Sequence, residues 1–170
     1  MRANIVWRKT LSLLGILCIL LAVACTKGIS KQALSQVTYS GTFSELQKKA
    51  DDYEGEVVLF GGKILETKVS PEHSEITVLQ LPLGGGDRPR VGDQSAGRFL
   101  IRSKQLLDPA VYTKGTAITV VGKVIGSEAQ KVGEFKYVYP VLEPIEIKLW
   151  HKDKGGGPSV HFGIGVFKTF

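Results

Sequence analysis

Downstream of Gly55 the sequence never sustains a helical period. It breaks instead into short runs rich in Val, Ile and Thr, delimited by Gly and Pro, and that pattern confines the body of the chain to a small all-β architecture. Glu56 to Thr67 reads as one long strand, bent or bulged at Gly61-Gly62. Ser74 to Leu81 is a second, bounded by Pro71 and Pro82. Gly97 to Arg102 is a third, and Thr116 to Gly126 a fourth, in which Ile118, Val120 and Val124 share a face by period two. Tyr137 to Leu142 and Ile145 to Trp150 complete the set. In the last, Ile145, Ile147 and Leu149 alternate with Glu146, Lys148 and Trp150, as in a strand buried on one side.

Thr42-Phe43-Ser44-Glu45 has the form of a capping box and predicts a short helix with Leu46, Ala50 and Tyr53 on one face, ending near Asp52. Ser103 to Tyr112 has room for a helical turn, limited by Pro109. A mainly β fold is expected: a small OB-fold-like barrel of five or six strands with one short N-terminal helix, since the OB-fold has a long bent first strand and a helix or loop between its third and fourth strands. A β-sandwich is the alternative.

The first residues belong to something else. Arg2, Arg8 and Lys9 precede an uncharged stretch from Thr10 to Ala24, the order of a secretory signal peptide. That stretch falls short of the roughly 20 apolar residues that a membrane-spanning helix needs. Leu21-Ala22-Val23-Ala24-Cys25 resembles a lipobox, with Ala22 where leucine is more usual. The resemblance implies cleavage between Ala24 and Cys25 and attachment of N-acyl and S-diacylglycerol lipid to Cys25. Several acyl chains make release from a bilayer slow, whereas one binds only marginally. In such lipoproteins an aspartate after the cysteine marks retention at the inner membrane. Thr26 stands there, which implies the outer membrane, on the periplasmic side.

Four segments follow from this reading: a signal peptide over 1–24, a lipidated tether over 25–40, a β-barrel domain over 41–154, and a Gly-rich hinge with a C-terminal strand over 155–170. The tether is mostly polar or small and, fully extended, would reach about 50 Å. In the last segment Val160, Phe162, Ile164 and Val166 alternate with His161, Gly163 and Gly165 behind Gly155-Gly156-Gly157-Pro158. One such strand cannot close a membrane barrel, so it is expected to join this domain's sheet or a partner's edge.

Three segments, Val57 to Ile64, Pro82 to Phe99 and Leu107 to Gly126, followed in order by Gly133-Glu134, Tyr137, Tyr139-Pro140 and Leu149-Trp150, resemble the Slp family of starvation-inducible outer-membrane lipoproteins. Phe60 departs from the tryptophan the family often places before the paired glycines. The resemblance implies a location and a lipid anchor, and brings no defined reaction or catalytic residue.

Composition narrows the chemistry. Without the leader, 19 Lys and Arg face 16 acids, and an excess of +3 is too mild to argue for nucleic acid. Cys18 and Cys25 are the only cysteines, so no disulfide framework exists and thiol or zinc chemistry is not expected in the mature domain. His73, His151 and His161 show no metal-binding spacing, and no metal or cofactor is expected beyond the covalent lipid. Gly84-Gly85-Gly86-Asp87 lacks the lysine ending of a phosphate loop. Ser95 and Ser103 have no nucleophile-elbow pattern, and Asp51, Asp52, Glu54 and Glu56 read as a solvated acidic face.

The first functional reading is a non-enzymatic envelope module at the outer membrane. Its expected partners are outer-membrane lipid, the lipoprotein-processing and sorting machinery, and an envelope protein or glycan. The second is a glycan- or polyanion-binding receptor in which Arg88, Arg90 and Arg98 converge with glycine amides on an anionic group. The third, a cell-wall hydrolase using acids near Asp51 or Asp87, requires two carboxylates facing one cleft.

Overall fold

The computed structural model describes residues 28–92 and 94–151. The expected signal peptide, the cleavage and lipidation site at Ala24 and Cys25, and the segment from Gly155 to Phe170 with His161 lie outside the described residues.

Five strands, β1 (Val57–Val69), β2 (Ser74–Leu81), β3 (Arg98–Ser103), β4 (Ala117–Val132) and β5 (Phe135–Trp150), close into one barrel in the order β1-β2-β3-β5-β4. Every pairing is antiparallel except the closing one, where β3 runs parallel to β5 at Leu100↔Val141 and Ile101↔Leu142. This is the OB-fold. One closed sheet rules out the sandwich.

The barrel fills by simple alternation: Val58, Phe60 and Ile64 of β1, Ile76 and Val78 of β2, Phe99 and Ile101 of β3, Ile118, Val120 and Val124 of β4, and Leu142 and Ile147 of β5 are all buried in one cluster. Its two ends are plugged differently. Where β1 begins, α2 (Phe43–Lys48) inserts Phe43 and Leu46, and Phe43 meets Phe60 edge-on at a centroid distance of 5.3 Å. The loop between β3 and β4 covers the opposite end with Leu107 and Tyr112. It is fastened by Leu107 N–H to Ser74 Oγ (3.0 Å) and by Thr67 Oγ1 to the Tyr112 carbonyl (2.7 Å). That loop makes one isolated turn, in which the Asp108 carbonyl accepts from Val111 N–H and Tyr112 N–H, both at 2.9 Å, and it goes no further into a helix.

The capping residue acts as expected: Thr42 Oγ1 accepts from Glu45 N–H at 3.2 Å. Instead of turning back to Thr42, the Glu45 carboxylate accepts from Tyr53 Oη at 3.2 Å, and the helix gives way to a 3-10 turn over Ala50–Tyr53.

The strands differ from the sequence reading in three ways. β5 is a single strand running through Pro140 and Pro144. Both prolines lie beside interruptions of the β4–β5 register, Pro144 opposite Gly122 and Pro140 opposite Ser127, where the ladder does not need an N–H from every residue. For the same reason β4 continues past Gly126, whose φ of +113° lies inside the second interruption. In β1 the extra residue is Leu65, between Ile64↔Val78 and Glu66↔Thr77, and not the glycine pair.

The stretch expected to be a free tether is docked from Ile29 onward. Ser30 caps α1 (Lys31–Leu34), its Oγ accepting from Ala33 N–H at 3.1 Å. Ile29 and Ala33 are buried against Val121, with Leu34, Val37, Val57, Leu59 and Ile145 around them. Ile29, Ala33 and Val37 are spaced four apart, so even a one-turn helix can lay them on one side. No helix among the described residues is long and apolar enough to cross a membrane.

Candidate functional site

A cleft of about 590 Å³ opens on the outer face of the β1–β2–β3 sheet. Leu65, Glu66, Thr67 and Lys68 of β1, Thr77 of β2 and Arg98 of β3 form its floor. Pro109, Tyr112 and Lys114 of the β3–β4 loop line one part, and Gln130, Lys131 and Tyr139 of the β4–β5 hairpin another. The hairpin is held against this face by ionic contacts: Arg102 of β3 binds both Glu75 of β2 and Glu128 of β4. Gln130 Nε2 donates to the same Glu128 carboxylate at 2.9 Å. The hydrogen bonds from Arg102 and Gln130 hold the Glu128 carboxyl below the ordinary carboxylate range, against a smaller opposing effect of burial. Burial pushes the Tyr112 phenol up, so it remains protonated in the cleft wall.

Arg98 owes its place to a compact arrangement around Gly97. Tyr137 Oη accepts from Arg98 N–H at 2.7 Å and lies 2.6 Å from Gln47 Nε2 of α2, joining helix, β3 and β5 at one phenol. Tyr137 packs on Tyr139, ring centroids 4.7 Å apart. The cleft thus combines amphipathic tyrosines with an arginine and three lysines, against one carboxylate, Glu66, which is paired to Lys68 at 3.1 Å.

The three arginines expected to converge do not share a site. Arg98 lines the cleft, to which neither Arg88 nor Arg90 contributes. Arg88 lies over the Trp150 ring, 5.4 Å from its centroid. The loop from Gly84 to Arg90 lies against β1 instead, because Gly61 has no side chain and leaves room for Leu83 and Pro89. Nor, among the described residues, do two carboxylates meet in the cleft, as a hydrolase would need: Asp51 accepts from Ser127 Oγ at 3.1 Å, Glu56 accepts from Thr38, and Asp87 is absent from the lining. Among the described residues no three His, Cys, Asp or Glu side chains are grouped as metal ligands. Thr77, Tyr112, Gln130 and Tyr139 were not singled out from the sequence. Strand register and the folding of the β3–β4 loop bring them together, and no local motif marks them as a site.

Comparison with known proteins addresses the chain as a whole. A family model described as the outer membrane lipoprotein Slp family matches residues 22–162. The chain belongs to that family. Its members give it a class, outer-membrane lipoprotein, without a molecular role. The lipoprotein YeaY of Escherichia coli strain K12 is 31% identical over 99 residues, covering 58% of this chain and 51% of YeaY. A protein of Haemophilus influenzae is 31% identical over 129 residues, 75% of this chain and 68% of its own length. The outer membrane protein Slp of E. coli is 25% identical over 99 residues, 58% of this chain and 52% of Slp. The chain thus matches about half the length of the two E. coli relatives.

Among solved structures, the mitochondrial single-stranded DNA binding protein Rim1 of Saccharomyces cerevisiae aligns over 56% of this chain and 95% of its own, with a TM-score of 0.36 and 16% identity. Schizosaccharomyces pombe Pot1pC bound to single-stranded DNA aligns over 69% and 90%, with a TM-score of 0.37 and 10% identity. At those scores the likeness carries no argument about a ligand. The OB-fold of this Slp-family chain rests on its strand order and parallel closure.

Proposed function

We propose that this Slp-family chain is exported, cut before Cys25, and acylated there with N-acyl and S-diacylglycerol lipid, so that its barrel is held at the periplasmic face of the outer membrane. It acts there as a non-enzymatic module that presents the cleft around Arg98, Tyr112 and Tyr139 to another component of the envelope. The observation that carries this reading is the extent of the family match, which begins at residue 22 and therefore includes Cys25 as well as the barrel. The apolar run before Cys25 and the basic residues ahead of it support the same reading. For the module's role, the support is the lining of the cleft, which joins Arg98 and three lysines to amphipathic aromatics.

Fractionation of cells producing wild type and Cys25→Ala tests the anchor. Wild type is expected in the outer-membrane fraction, and Cys25→Ala in the soluble periplasmic fraction or the inner membrane. Equal outer-membrane recovery of both would overturn it. Capture of envelope components on the lipidated protein, compared with a variant carrying Arg98→Ala and Tyr139→Ala, tests the cleft. A component retained by wild type and lost by the variant is the expected result, and identical capture would remove the cleft from the proposal.

A further inference from the structure

Because the N-terminal segment is docked, an anchor at Cys25 can hold only one side of the barrel near the bilayer. Three residue steps separate Cys25 from Gly28, at most about 11 Å of chain. Gly28 lies against the Gly84–Arg90 loop: a Cβ there would be 3.1 Å from the Gly86 carbonyl and 3.3 Å from Asp87 Oδ2. Beyond Gly28 there is no slack, since Ser30 N–H donates to the Glu146 carboxylate at 2.9 Å and Ile29 and Ala33 are buried.

The surface beside Gly28 has the chemistry of a headgroup layer's counterpart. Thr119 Oγ1 donates to the Asp87 carbonyl at 2.6 Å and accepts from Trp150 Nε1 at 2.9 Å, so one hydroxyl fixes both the loop and the indole. Arg88 lies over that indole and Lys148 Nζ lies 5.6 Å from its centroid. Arg88 and Arg90 are exposed, and the nearby Glu146 carboxylate is engaged by Ser30. Tryptophan concentrates at membrane–water interfaces, and basic side chains near an anionic leaflet are attracted to its phosphates.

The geometry points to a membrane-apposed face: the surface formed by Gly28, Arg88, Arg90 and Trp150 rests on the anionic headgroups of the bilayer that holds Cys25, with the arginines at lipid phosphates and Trp150 at headgroup depth. This rests on the acylation of Cys25 proposed above. It adds an orientation, a lipid-contact site and a tether too short for the barrel to turn freely.

The sequence holds two tryptophans, Trp7 in the expected leader and Trp150, so the mature chain reports on Trp150 alone. The lipidated full mature chain is reconstituted in vesicles of phosphatidylethanolamine and phosphatidylglycerol, a fraction of them brominated near the headgroup end of the acyl chains. Flotation and Trp150 quenching are read together. Wild type is expected to float with Trp150 quenched. A long Gly/Ser linker inserted between Lys27 and Gly28, and separately Arg88→Ala with Arg90→Ala, is expected to float equally well with most of the quenching lost. Failure of wild type to float would overturn the acyl anchor and this inference with it. Wild type that floats with Trp150 unquenched, or quenching that neither variant changes, would overturn the orientation and leave the anchor standing.

Discussion

Gly97 is the residue on which most of the cleft's geometry converges. Its φ is +149°, and a Cβ would lie 2.6 Å from Tyr137 Oη, 2.7 Å from Gln47 Oε1 and 2.9 Å from Phe43 Cε1. Gly97→Ala therefore combines an unfavourable backbone conformation with three contacts that must yield. It is expected to cost about 2 kcal/mol in urea unfolding, with loss of the Arg98 N–H bond to Tyr137. A cost within error of zero would show that the phenol moves freely. Glu128 gives the second prediction. Its folded-state pKa is depressed below the ordinary 4.5, so its contribution to stability is complete above that value and is lost as pH falls through the folded one. Stability measured from pH 5 downward is expected to fall less steeply in Glu128→Gln than in wild type, with the two slopes equal at neutral pH; parallel curves throughout would contradict it. At this scale the sequence was partly readable. Arg98 was identified as a candidate, but its true neighbours come from β1, β2, β5 and a distant loop.

Among the elements, α2 shows how a short helix can close a barrel. Leu46 is fully buried between the strands and the 3-10 turn that follows, so Leu46→Ala is expected to cost about 2–5 kcal/mol, read as a shift in the unfolding midpoint without a change in slope. The N-terminal segment is held by less apolar surface. Ala33→Asp would place a carboxylate against Val121, and hydrogen exchange at residues 31–35 is expected to rise while β1 to β5 keep their protection. Exchange that stays slow would mean the segment is held by the Ser30–Glu146 bonds alone. Strands β1, β2 and β3 were legible because alternation and flanking Gly or Pro agree. The reading failed at Pro144 and Gly126, residues that normally end a strand but here lie beside or within bulges, a feature created by the partner strand. It failed again at Ile29, Ala33 and Leu34, too few apolar residues in a polar stretch to signal a docking helix without the surface they meet.

As a whole, the molecule is a five-stranded OB barrel of the Slp family whose first described residues are fastened to its own outer wall. Docking would shorten a long tether to three residues, and on the proposed acylation a lipid at Cys25 would fix both where the barrel sits and which side it turns to the bilayer. The cleft is built from one sheet face, the β3–β4 loop and the β4–β5 hairpin, and Gly28 contributes nothing to it. On this proposal, retention and presentation therefore fall to separate surfaces. All of this depends on the chemistry of a single sulfur. Mass spectrometry of the N-terminal peptide, from protein made in a bacterium that processes lipoproteins, measures it directly. The expected species begins at Cys25 and carries the mass of three acyl chains and a glyceryl thioether. A peptide that retains the residues before Ala24, or one that begins at an unmodified Cys25 thiol, would contradict the membrane anchor and everything derived from its length.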